Sequence, residues 1–271
     1  MNKPILEANT MTARIVDSRP TDSTVNPDRE PEAKPATRRA PPAWLASRRH
    51  LLTFFFIWGV VTGISELNAP GSAQPAEAPR SQADMLELYL VLMGMQCLWV
   101  RFVSKGMQSY GRSISGFLQA RRNGPMAIAW DAILGGLALL LIYSLYAGLN
   151  SLTHRDLTAT NALLPAVPTG ALAVTVWAAM SLCAGICEEI VFRGYLQGQL
   201  TALTGKPALA IVLQAGLFGI AHVYEGFTSV CYIVLHALVL GLLAAWRGNV
   251  RACMVEHAAW DILEGLGLMT I

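Results

Sequence analysis

The chain has 271 residues, 54% of them hydrophobic and 14% charged, with a formal net charge of +2. Mean hydropathy is +0.43. Soluble domains carry about 25% charged residues, so this composition excludes an ordinary soluble protein. Near-neutral charge, with no basic–aromatic array and no Gly-rich phosphate loop, excludes nucleic acid as a partner.

Residues 1–47 are polar and rich in Pro, Arg, Asp and Glu. They hold too little apolar area to offset ordering entropy, which predicts a disordered cytoplasmic tail. Seven apolar spans follow, at about 51–67, 84–104, 125–149, 169–192, 207–224, 227–246 and 251–270. Each is near the length of about 20 residues that a helix needs to cross a bilayer. The fold expected is an all-α polytopic membrane helix bundle, with N-terminal helices in 48–168 and a second group in 169–271. The fourth span continues through a pair of glutamates, so a bend or an interfacial end is expected there.

Basic residues cluster in alternate connections. Arg48 and Arg49 precede the first span. Lys105, Arg112, Arg121 and Arg122 follow the second, Lys206 precedes the fifth, and Arg247 and Arg251 separate the last two. The other connections carry only Arg80 and Arg155. With alternating spans this pattern predicts a cytoplasmic N-terminus, and the expected location is the plasma (inner) membrane of a bacterium. Ser47-Arg48-Arg49-His50-Leu51-Leu52 resembles a twin-arginine signal, with small residues later at Gly71-Ser72-Ala73. A retained first helix with a basic flank is the simpler reading. Gly59 and Gly63 form a weak GxxxG packing signal in that helix.

The five cysteines, Cys97, Cys183, Cys187, Cys231 and Cys253, include no CxxC pair. This predicts neither a disulfide frame nor a zinc cluster, and small buried hydrophobes instead. His236 reads as an interhelical hydrogen bond and Asp131 as a lone polar group. Glu225, Glu256 and Glu264 read as side chains near span ends or beside the site, able to reach solvent.

Glu188 and Glu189 lie in the fourth span, within S-L-C-A-G-I-C-E-E-I-V-F-R-G-Y. Ionisable residues at membrane depth are costly, and therefore mark function. Successive helical residues differ by about 100°, so the two carboxylates face different ways. Arg193 is four residues past Glu189 and shares its face, which predicts an ion pair. Glu188 is then left to act as a general base, later an acid. Phe218 and His222 share one face of the fifth span, with Gln214 one turn back. His257 and Asp261 share one face of the seventh. If these helices meet, Glu188 and His222 hold a water between them, and His257 and Asp261 bind the developing oxyanion.

E-E-x-x-x-R, F-x-x-x-H and H-x-x-x-D, in this order on separate apolar helices, resemble the CPBP family of intramembrane glutamic proteases. That family includes type II CAAX prenyl proteases and Abi-like bacteriocin-processing or immunity relatives. The resemblance covers about residues 169–271. It implies that Glu188 is the catalytic base, that His222 helps it activate water, and that His257 and Asp261 form the oxyanion side. Glu189 and Arg193 are implied as a supporting pair, with Phe218 packed near His222. Many relatives carry Asn where Asp261 stands. An ionised Asp accepts rather than donates, so Asp261 is expected to orient His257 by accepting its proton.

The resulting expectation is an intramembrane endopeptidase acting on a membrane-associated protein or peptide, with no cofactor, no metal and the lipid bilayer as its surroundings. Two alternatives stay open. One is a non-proteolytic scaffold or bacteriocin-immunity protein. The other is a zinc-dependent membrane protease, since two Glu and two His are zinc-type ligands although no HExxH is present.

Overall fold

In the computed structural model, the residues described are 44–67, 82–119, 124–153 and 170–269. Among them every regular element is a helix. In chain order these are α1 (Arg48–Leu67), α2 (Gln82–Gln108), the short α3 (Ser115–Leu118) and α4 (Pro125–Thr153). Then come α5 (Ala171–Glu189), a π-helical segment (Ile190–Leu196) and α6 (Gln197–Thr204), which run on as one rod. The set closes with α7 (Pro207–Ile220), α8 (Phe227–Arg247) and α9 (Arg251–Gly265). Residues 1–43, the small residues at Gly71, and Arg80, Arg121, Arg122 and Arg155 lie outside the described residues.

Every predicted span is helical, but a count of seven crossings does not follow. Among the described residues, four helices are long and apolar enough to cross a membrane: α2, α4, the 34-residue α5–α6 rod and α8. α7 and α9 have 14 and 15 residues, short of the roughly 20 that crossing requires. Among the described residues the protein is an all-helical membrane bundle, and the helices that carry or lead into the histidine motifs are shorter than those four.

Glycines set how closely the helices approach. A Cβ on Gly185 of α5 would stand 2.6 Å from the backbone nitrogen of Ala258 on α9. One on Gly135 of α4 would stand 2.7 Å from the carbonyl oxygen of Ala252. Small residues allow backbone contact where lipid offers no hydrophobic drive. α9 is thereby held against both α4 and α5, while α2 packs on the outer side of α5 and α7 pairs with α8. Gly59 and Gly63 have no atom near their Cβ positions, so the GxxxG of α1 faces away from the bundle among the described residues.

Buried amides tie the rest together. Gln199 accepts from the backbone of Leu45 at 2.8 Å and donates to the carbonyl of Ala46 at 3.0 Å. The last residues of the supposed tail are therefore anchored, and Ala46 is fully buried. Ser47 caps α1 by accepting from the backbone N–H of His50 at 3.1 Å. His50 accepts from the Tyr195 hydroxyl at 2.8 Å and donates to the Phe102 carbonyl at 3.1 Å. The Arg48–Arg49 pair thus starts a helix that packs into the core. Gln214 donates to the carbonyl of Ala237 at 3.2 Å, a strut between α7 and α8.

Asp131 is not a lone group. It is buried, accepts from Arg247 Nε at 2.8 Å and from Arg251 Nε at 2.6 Å, and so joins α4 to the α8–α9 corner. Neither does Glu256 reach solvent: its side chain is fully buried and accepts from His236 Nε2 at 2.8 Å. Spacing could not reveal either arrangement, since both link separate helices.

Candidate active site

Glu188 and Glu189 close α5, about 26 Å from its start at a rise of 1.5 Å per residue. The chain then passes into the π-helical segment, all of it buried. π-helical turns shift the register of the side chains that follow and recur at functional sites. Across this turn Arg193 Nη1 donates to Glu189 Oε1 at 2.7 Å, with both side chains fully buried. The expected pair exists, although the helix between its members is not α-helical. The guanidinium lies over the Phe218 ring, 4.3 Å from its centroid. This gives Phe218 a packing task on Arg193 as well as contact with His222, whose ring centroid lies 4.9 Å from its own.

Glu189 does more than balance Arg193. The same Oε1 accepts from His257 Nδ1 at 2.8 Å. That bond turns His257 Nε2 toward two further carboxylates, Glu188 Oε2 at 3.9 Å and Asp261 Oδ2 at 3.7 Å. The ring is therefore oriented by Glu189. Asp261, expected to hold the tautomer, instead stands one turn along α9 on the Nε2 side. The reason is the backbone contact at Gly185, which brings the Nδ1 edge of His257 within reach of α5. Both separations on the Nε2 side exceed a direct hydrogen bond and suit a bridging oxygen atom.

His222 stands just past the end of α7, in the turn that leads to a single 3-10 turn and Gly226. The positive φ of 92° at Gly226 ends that turn and starts α8. His222 Nδ1 donates to the Phe218 carbonyl at 2.9 Å, satisfying one of the carbonyls a helix end leaves free. This bond fixes the tautomer and leaves Nε2 as the accepting nitrogen. The i,i+4 relation of F-x-x-x-H is thus realised through the main chain, with the helix stopping at Ile220 rather than running to 224.

Two cavities meet at His222. One, of about 160 Å³, is lined by Arg193, Phe218, His257 and Asp261 among others. The other, of about 190 Å³, is lined by Glu188, Gln96 and the aromatic face of Phe54, Trp58 and Trp99. His222 lines both. Glu188 accepts from Gln96 Nε2 at 3.0 Å and keeps about a quarter of its side chain exposed. Glu225, in the turn after His222, has its carboxyl raised above the ordinary range by burial, opposed by the nearby His222.

The structure brings Glu188, Glu189, Arg193, Phe218, His222, His257 and Asp261 to this junction. Sequence reading expected the interhelical hydrogen bond of His236, whose imidazole centroid lies 6.2 Å from that of His257, but missed both its partner Glu256 and Gln96. Neither has a spacing signal within one helix. The only hint was the cost of a carboxylate amid apolar sequence.

Among comparisons with known proteins, residues 169–263 match the family described as type II CAAX prenyl endopeptidase Rce1-like. The matched segment runs from the start of α5 into α9 and holds all seven of the expected site residues. It agrees with the resemblance drawn from the three motifs. No curated protein and no solved structure matches the chain.

Proposed function

We propose that this protein is an intramembrane endopeptidase that hydrolyses a peptide bond of a membrane-associated protein or peptide. One observation carries the reading: α5 and α9 converge on one point, where His257, oriented by Glu189, turns its Nε2 toward Glu188 and Asp261. A buried charge cluster of this kind is costly in a bilayer unless it is used.

In the proposed reaction, Glu188 takes a proton from a water oriented by the free Nε2 of His222. The water oxygen attacks the scissile carbonyl carbon. The carbonyl oxygen gains the negative charge and is stabilised from the His257–Asp261 side, where preorganised donors are worth most. Collapse of the intermediate breaks the C–N bond, and Glu188 returns its proton to the leaving nitrogen. The products are a carboxylate and an amine. The aromatic face beside Glu188 supports an apolar substrate segment, entering from the α1–α2 side. Prenylated C-terminal segments and bacterial leader peptides are both substrate classes consistent with this chemistry.

The test compares membrane proteomes of cells carrying the wild type, Glu188→Gln or His222→Ala. Each variant is expected to accumulate normally and to leave precursors unprocessed, a loss of about 10² to 10⁴ in rate for the missing base. Purified enzyme is expected to keep its activity in chelator. Full processing by both variants would overturn the assignment.

A further inference from the structure

Cys97 on α2 and Cys183 and Cys187 on α5 bring their sulfurs within 4.8 Å of one another. All three are free thiols. Cys183 and Cys187 are one helical turn apart, with their Sγ atoms 3.8 Å from each other. Thiolates around a tetrahedral zinc-type ion, at a metal–sulfur distance of about 2.3 Å, stand about 3.8 Å apart. The sulfurs thus stand near the spacing a metal requires. No two of these cysteines form a CxxC motif, and the third comes from another helix, so the sequence shows nothing of the cluster.

A single buried cysteine packs as a small hydrophobe. Three that converge from two helices present a set of soft donors, and soft donors select soft ions over magnesium or manganese. A route to the cluster is also present. Cys187 lines the 190 Å³ cavity together with Gln96 and Glu188. Cys253 is occupied elsewhere, its Sγ donating to the Leu240 carbonyl at 3.3 Å.

We propose that Cys97, Cys183 and Cys187 form a binding site for one soft d10 metal ion of the zinc type, which clamps α2 to α5. Each thiol that binds gives its proton to water as its metal–sulfur bond forms, and no electron is transferred. A water in the neighbouring cavity completes the coordination. The clamp is distinct from the His222–His257 chemistry. It lies beside it, because Cys97 adjoins Gln96 and Cys187 adjoins Glu188, the two residues joined by a 3.0 Å hydrogen bond.

The full chain, purified in detergent, reduced and freed of metal, is titrated with Cd2+ as the probe. The expected result is saturation at one equivalent, with a thiolate-to-cadmium charge-transfer band, displacement by Zn2+ and none by Mg2+. Bound Cd2+ should also raise the Tm, as any ligand of the folded state does. Cys97→Ser and Cys183→Ser should each weaken binding at least about tenfold, since even supporting residues of metal sites cost that much. Cys231→Ser should leave it unchanged. Cys97 is exposed, so its serine variant is expected to keep the metal-free Tm of the wild type. Absence of a one-equivalent site, or binding unaltered by either of the two variants, overturns the proposal. These readouts are independent of proteolysis.

Discussion

The two adjacent glutamates are given different tasks by their partners. Glu188 has a neutral partner, Gln96, and faces a cavity, whereas Glu189 is sealed between Arg193 and His257. Glu188→Gln should therefore lose chemistry while keeping the fold. Glu189→Gln should do both kinds of damage. It leaves the fully buried Arg193 side chain without its counter-charge, a loss of about 3–5 kcal/mol for a broken buried pair. It also weakens the bond that orients His257. Thermal unfolding in detergent measures the first effect and peptide hydrolysis the second. Asp261→Asn is expected to be mild by comparison, within about tenfold in rate, because Glu189 still holds Nδ1 of His257 and an amide can donate to an oxyanion. If Asp261→Asn is the more damaging of the two, Asp261 orients the ring after all.

At the scale of elements, the site depends on the approach of α9 to α5. Gly185 is the point of contact, and a methyl group there has no room against the Ala258 backbone. Gly185→Ala is expected to cost about 1–3 kcal/mol, the usual range for overpacking. It should also lower activity by moving Glu189 and Glu188 away from His257. Gly216 on α7 has nothing near its Cβ position. Gly216→Ala should preserve activity and leave stability unchanged or slightly raised, since alanine favours a helix interior. Equal effects of the two substitutions on Tm and rate would count against Gly185 as the contact that sets the site. The early end of α7 is a second device of this kind. Stopping at Ile220 frees the Phe218 carbonyl to hold His222, which a helix continuing to 224 would not allow.

At the scale of the whole molecule, one group of polar contacts ties the N-terminal ends of α1, α4 and α9 to the C-terminal ends of α2 and α8. Arg247 and Arg251 meet Asp131, the backbone N–H of Val250 donates to the Phe117 carbonyl at 3.1 Å, and His50 meets Phe102. These helix ends carry the basic residues Arg48, Arg49, Lys105, Arg247 and Arg251, and we propose from the positive-inside tendency that they face the cytoplasm. Epitope tags placed in the turns at Gly111 and Gly205 should be digested in inside-out vesicles and protected in right-side-out ones. The opposite result would invert the orientation without disturbing the site.

The all-helical class was legible from composition and span length, because a chain in lipid must satisfy its backbone within helices or a closed barrel. Three motif spacings were legible too, because residues four apart share a helical face whatever the helix packs against. Glu189–Arg193 is such a pair, and it was read correctly across a π turn that no spacing announced. What only the tertiary structure decided are the contacts between helices: the bond from His257 to Glu189 rather than to Asp261, the burial of Glu256 under His236, and the meeting of Cys97 with Cys183 and Cys187. The physical reason is the same for each. A sequence specifies which groups share one helix face, while the distance between two helices is set by where glycine lets their backbones touch.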